Sequence, residues 1–146
     1  MPSLAVNAKA KHDYEILEKL EAGIVLSGAE VKAAKKGSIN LKGAFVTFKD
    51  NEAWITNMHI GHYAPAGPDD SYDPTHARKL LLSRKQLNFL RGKHEAERLT
   101  IVPLSLYTSR NLVKVEIALA RGKRAFEKRD TIKKRDLDRE MRREEF

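Results

Sequence analysis

The sequence contains no cysteine, which excludes disulfides, thiolate zinc sites and cysteine nucleophiles and fits a reducing compartment. No stretch approaches the ~20 apolar residues of a membrane-spanning helix. The opening stretch MPSLAVNAKAKHDYE lacks the long apolar core of a secretory signal. These absences set the expectation of a soluble, cytoplasmic protein with no membrane partner. Catalytic signatures are missing too: there is no G-x-S-x-G, no P-loop and no G-x-G-x-x-G. The adjacent carboxylates Asp69 and Asp70 sit in a Pro/Gly-rich stretch, where they read as solvated turn residues rather than an acid–base pair. His59 and His62 have no third ligand near them in sequence, and their spacing is not that of a zinc helix. The expectation is a non-enzyme with no metal and no cofactor.

What the chain does have is positive charge. Its 146 residues carry 28 Lys/Arg against 20 Asp/Glu, a formal net charge of +8 and a pI near 9.7. Lysine and arginine displace condensed counterions from phosphate, so a small basic protein attracts polyanions. Charge alone does not choose among nucleic acid, acidic protein and anionic membrane. Composition shifts after Ala120. Residues 121–146 hold eleven Lys/Arg and seven Asp/Glu, +4 of the total, with Phe126, Ile132, Leu137, Met141 and Phe146 as their only large apolar side chains. That set is too sparse to anchor a tail, and an isolated helix of this length is marginal in water. The division is a folded body at 1–123 and a basic tail at 124–146, disordered alone and helical on a partner.

Within the body, residues 1–11 are small, polar and basic, and read as mobile. Tyr14, Ile16, Ile24 and Leu26 alternate with other residues as in strands. Ser27-Gly-Ala-Glu30 is a capping box with Leu26 and Val31 as its staple, which predicts a helix over 28–36 ending at Gly37. Phe45–Phe48 and Ala53–Thr56 predict strands around the turn Lys49-Asp-Asn51. Residues 61–77 carry three prolines and two glycines and predict a long loop. Ser83-Arg-Lys-Gln86 is a second capping box, stapled by Leu82 and Leu87. It predicts a helix over 84–91 that stops near Gly92, with a further helical turn possible in 93–98. Leu99–Leu106 and Leu112–Ala120 predict a closing hairpin, and Pro103 marks an edge or a bulge in it. The fold class is mainly β with short helices (α+β), either a small oligonucleotide-binding (OB)-like antiparallel barrel or a sandwich.

Three features bear on partners, each with a plainer explanation beside it. Arg78, Lys79, Arg84 and Lys85 flank the start of the second predicted helix; they read as a phosphate grip or as a solvated basic face. Glu21, an acid in a basic protein, reads as a surface residue or as an acceptor for base amino groups. Phe126 among the cations of 121–129 could stack on an unpaired base, or belong to an ordinary basic tail.

Asn7, Lys11-His-Asp-Tyr14, Glu21-Ala-Gly-Ile24, Gly28-Ala-Glu-Val-Lys32 and Gly37-Ser-Ile-Asn-Leu41 lie in the order of one known family. So do Asp73-Pro-Thr-His-Ala-Arg-Lys-Leu-Leu-Leu82, Leu104-Ser-Leu-Tyr107, Lys114-Val-Glu-Ile117 and Gly122-Lys-Arg124. Each block is weak singly, but together, in order, they are specific. The chain resembles the bacterial tmRNA-binding family SmpB along nearly its whole length. The resemblance implies an antiparallel OB-like β-barrel with about three short helices and a disordered C-terminal tail. It implies tmRNA as partner, bound near the elbow of its tRNA-like domain. It also implies entry into ribosomes stalled without a codon, where the tail fills the empty mRNA channel and turns helical. EF-Tu and alanyl-tmRNA would be indirect partners of a monomer. By the same resemblance, RNA contacts fall on Asn7, Glu21, Arg78, Lys79, Leu81, Gly122 and Lys123. Ribosomal tail contacts fall on Phe126, Glu127, Lys128 and Arg129. Three residues depart from the family's pattern. Glu127 stands where aspartate is usual, His76 where arginine is usual, and Ser83 where a larger polar residue is common.

Overall fold

The computed structural model describes residues 3–68 and 71–122. The chain runs β1 (Ser3–Val6), α1 (Ala8–Asp13), β2 (Tyr14–Ile24), α2 (Gly28–Lys35), β3 (Ile39–Asn40), β4 (Phe45–Lys49), β5 (Glu52–Thr56) and β6 (His59–Ile60). A single 3-10 turn at Ala64–Ala66 follows, then β7 (Arg78–Leu81), α3 (Arg84–Glu97), β8 (Thr100–Ser109) and β9 (Leu112–Gly122). Seven strands form one antiparallel sheet in the order β1-β8-β9-β2-β7-β5-β4, and β3 and β6 pair separately.

Mainly antiparallel β structure with three helices is what the resemblance implies, but the sheet is not a closed barrel. It curls so that β4 comes alongside β8 without ladder hydrogen bonds between them. One reason lies at the free edge of β8. There β1 pairs with Ser105–Tyr107, and the Asn7 N–H extends this edge by donating to the Leu104 carbonyl at 2.7 Å. The segment expected to be mobile therefore fills part of the edge through which the sheet would close.

The turns follow backbone chemistry. Asp50 and Asn51 join β4 to β5 with φ of 53° and 60°, and Arg110 and Asn111 join β8 to β9 with 50° and 63°. Positive φ at both central residues matches the right-handed twist of the flanking strands, and Asn and Asp tolerate it best among residues with side chains. Pro103 lies just beyond the stretch of β8 that β1 covers, Ser105–Tyr107. It sits at a bulge, where the register with β9 shifts between Pro103 and Ser105.

Both capping boxes form. Ser27 Oγ accepts from the Glu30 N–H at 3.2 Å, and Ser83 Oγ from the Gln86 N–H at 3.1 Å. Helix α3 does not stop at Gly92 but continues to Glu97, where Arg98 takes the left-handed conformation at φ 53°. Gly92 is exposed, with nothing near it, so it costs the helix only about 1 kcal/mol of propensity. Packing of the fully buried Leu90 and an ion pair from Lys93 to Glu97 at 3.3 Å offset that cost.

The main core lies inside the curled sheet. Val46, Ile55, Met58, Ile60, Leu80, Leu90, Ile101, Leu106, Val115 and Ile117 fill it. A second, smaller cluster lies on the other side of the hairpin, where Ala10 of α1 covers Val102, Leu104, Ala118 and Ala120. β9 is thus buried on both faces toward its end, with Val115, Ile117 and Leu119 in the main core and Ala118 and Ala120 in the smaller cluster.

Candidate nucleic-acid interface

Period-two alternation decides which residues face outward. In β2, Ala22 and Ile24 point into the core, so Glu21 and Gly23 belong to the outer face. In β7, Arg78 and Leu80 are buried, which puts Lys79 and Leu81 outside. In β9, Val115 and Ile117 point inward and Lys114 and Glu116 outward. Cross-strand register joins these residues into one surface. Gly23 stands opposite both Leu81 and Lys114, Glu21 opposite Glu116, and Lys114 opposite Tyr107.

Three expected RNA contacts, Glu21, Lys79 and Leu81, therefore share this outer face. Leu81 is 54% exposed, so its side chain is open to a partner. It lies across Gly23, where an added Cβ would come within 3.1 Å of Leu81 Cβ and would have to push the leucine aside by a few tenths of an ångström. Lys79 Nζ reaches Glu52 Oε1 at 2.9 Å, an exposed pair that phosphate can displace at little cost. Arg84 and Lys85, exposed at the start of α3, extend the cationic side of the same region. The Ser83 hydroxyl is engaged in its cap, in keeping with the structural role its spacing predicts.

Arg78 and Asn7 are placed differently from the expectation. Arg78 is 1% exposed. Its Nε donates to Glu30 Oε2 at 2.6 Å and its Nη1 to the Met58 carbonyl at 2.6 Å. Its Nη2 donates to the Pro74 carbonyl at 2.9 Å and the Tyr72 hydroxyl at 3.2 Å. A guanidinium so enclosed makes no phosphate contact from this position. Of the four cations in the predicted grip, three are outside and one is interior. Asn7 is also buried. Its Oδ1 caps α1 by accepting from the Ala10 N–H at 3.3 Å, and its Nδ2 donates to the Pro103 carbonyl at 2.9 Å and the Leu41 carbonyl at 3.4 Å. The side chain is consumed in fastening α1 to β8.

Gly122 ends β9 opposite Tyr14, six residues from Glu116 and so on the order of 20 Å along the strand from the Glu21 pair. Lys123, Phe126, Glu127, Lys128 and Arg129, the predicted tail helix, and Asp69 and Asp70 lie outside the described residues.

The Ser27–Glu30 motif predicts only a capping role for Glu30. Its Oε1 does accept from the Ser27 N–H at 3.1 Å, but Oε2 binds Arg78, His76 Nε2 at 3.1 Å and the Tyr72 hydroxyl at 3.3 Å. Burial opposes ionisation of this carboxyl, yet the Ser27 N–H and the Arg78 and His76 contacts outweigh it and hold the group below the ordinary carboxylate range. Tyr72 is pushed the other way, by burial and then by the Glu30 charge. His76, where the family pattern has arginine, thus faces a buried carboxylate, and the 71–77 loop is tied to α2 and β7. No periodicity could have found this cluster, because Glu30 and Arg78 are 48 residues apart.

The sequence model of the SmpB protein family matches residues 4–145. An SsrA-binding protein of Coprothermobacter proteolyticus is 49% identical over 145 residues, covering 99% of this chain and 97% of its own. One from a Sulfurihydrogenibium species is 51% identical over 138 residues, covering 94% and 90%. Among solved structures, a chain from work described as "tmRNA-SmpB: a journey to the center of the bacterial ribosome" superposes with a TM-score of 0.68. It is 45% identical and covers 83% of this chain and 85% of its own. With family-wide matching over almost every residue and relatives near half identity, this chain belongs to the SmpB family.

Proposed function

We propose that this chain binds tmRNA and accompanies it into stalled ribosomes for trans-translation. The observation that carries the reading is family membership across residues 4–145. The outer face supports it. Lys79, Arg84 and Lys85 attract phosphate, while Leu81 and Glu21 meet sugar and base groups of structured RNA. Asn7 and Arg78 serve this face indirectly: one anchors α1 to β8, and the other holds the inward side of β7 so that Lys79 and Leu81 point out. The basic tail at 124–146, with Phe126, Glu127, Lys128 and Arg129, tests whether the mRNA channel is empty by folding into it, and Gly122 and Lys123 add contacts where body meets tail. EF-Tu takes part indirectly, through alanyl-tmRNA. The protein works as a cytoplasmic monomer and performs no chemistry of its own.

Competition at fixed salt tests this reading. Labelled tmRNA bound to the protein is challenged with bulk tRNA and rRNA. Selective binding leaves the complex intact at large excess of competitor. Equal displacement by all three RNAs rejects the proposal in favour of a general RNA-binding protein. At the residue level, Glu21→Arg disrupts tmRNA binding, whereas Glu95→Arg, on exposed α3, does not.

A further inference from the structure

Glu21 of β2 stands directly opposite Glu116 of β9. Like charges in a direct cross-strand pair are destabilising, so this arrangement calls for a compensating contact. Tyr107 supplies one from the far side. It sits on β8 opposite Lys114, and its hydroxyl donates across β9 to Glu21 Oε2. Two strand spacings, about 9–10 Å, separate the backbones that this bond joins. The hydroxyl stays a donor, because burial, the bond to Glu21 and the charges of Glu21 and Glu116 all push its pKa upward. The other oxygen of Glu21 has no hydrogen bond among the described residues, and the side chain is exposed.

We infer that Tyr107 is a positioning residue for Glu21, and that the group received there is the amino-bearing edge of a nucleobase. This rests on the reading of Glu21 as an RNA contact. Two adjacent carboxylates repel phosphate, whereas a carboxylate accepts readily from a base amino group, as it does from cytosine N4. With Oε2 held by Tyr107, the free oxygen has a fixed direction before RNA arrives, which lowers the ordering cost of binding. The exposed Leu81, opposite Gly23 on the neighbouring strand and two residues along β2 from Glu21, offers an apolar surface on the same face for a sugar or base.

The test uses the full chain, the transcribed tRNA-like part of tmRNA, and the variants Tyr107→Phe, Glu21→Ala and the double substitution. Tyr107→Phe should weaken binding about tenfold, the scale of one charge-assisted hydrogen bond, with a small fall in melting temperature that leaves the protein folded at the assay temperature. Glu21→Ala should weaken it further, and adding Tyr107→Phe to Glu21→Ala should cost nothing more. The slope of log Kd against log salt should be the same in every variant, since no phosphate contact is lost. A full Tyr107→Phe loss in the Glu21→Ala background means that Tyr107 touches RNA itself and overturns the positioning role. So does a Tyr107→Phe variant that binds normally while Glu21→Ala binds poorly. A shallower salt slope overturns the base-edge assignment. Normal binding by Glu21→Ala removes Glu21 from the interface, so that failure belongs to the underlying reading and is distinguishable from the others.

Discussion

Arg78 makes the residue-scale case that cation counting misleads. It neighbours Lys79 in sequence and faces the opposite way, because successive strand residues alternate. Removing one partner of a buried pair strands the other's charge, so Arg78→Met should cost about 3–5 kcal/mol in urea denaturation. The double substitution Arg78→Met with Glu30→Leu should recover part of that loss, since no unpaired charge remains. The pair also makes stability depend on acid. The folded state holds Glu30 below its ordinary value of 4.5. Its contribution is therefore present above that value and is lost as pH falls through the lower folded value. Glu30→Gln should be less stable than wild type at neutral pH, and the gap should narrow as denaturation is repeated at falling pH below 4.5. A constant gap would contradict the assignment.

At the scale of elements, α1 and α3 show opposite errors of local reading. The six residues of α1 are too few to be stable alone, and their composition gave no periodicity to detect. The helix exists because Asn7 caps it and Ala10 closes the small cluster over Val102 and Ala118. Asn7→Ala loses a cap and the side-chain donor to the Pro103 carbonyl, while the Leu41 carbonyl keeps the Ala44 N–H at 3.0 Å. About 2–3 kcal/mol of destabilisation should follow, with any RNA-binding defect tracking the loss of folded protein. In α3 the local signal was too strong rather than too weak: Gly92 read as a stop, and packing of Leu90 carried the helix past it. Gly92→Ala should raise stability by up to about 1 kcal/mol, measured as a higher denaturation midpoint, because a Cβ there meets nothing within 4 Å.

At the scale of the whole molecule, the open sheet order and the basic tail define two separable parts in the proposed function. Truncation after residue 123 leaves β1–β9 and the outer face intact. The truncated protein should therefore keep most of its tmRNA affinity in a shift assay while failing to support peptide tagging of stalled chains. Normal tagging without residues 124–146 would reject the tail's role. The body is held by pairings distant in sequence, such as Ser3 with Tyr107 and Glu15 with Arg121. Contacts of that kind make the fold a property of the nearly complete chain rather than of any one hairpin.

Several elements could be read directly from the residues because their signals are local. The capping boxes at Ser27 and Ser83 satisfy helix donors three residues away, and Asp50-Asn51 turns a hairpin within four residues. The ordered motif blocks gave the family, and through it singled out Glu21 among the acids. What local spacing could not supply was facing and closure. That Arg78 turns inward to Glu30, that residues 3–7 occupy the edge of β8, and that Tyr107 reaches across β9 to Glu21 all depend on residues 48 to 104 positions apart coming together. Chain composition determined that this protein is basic, without cysteine chemistry, and patterned for a small β fold. Only tertiary packing decided which cations stay in water and which acid meets a phenol, because burial and cross-strand register arise from the whole sheet at once.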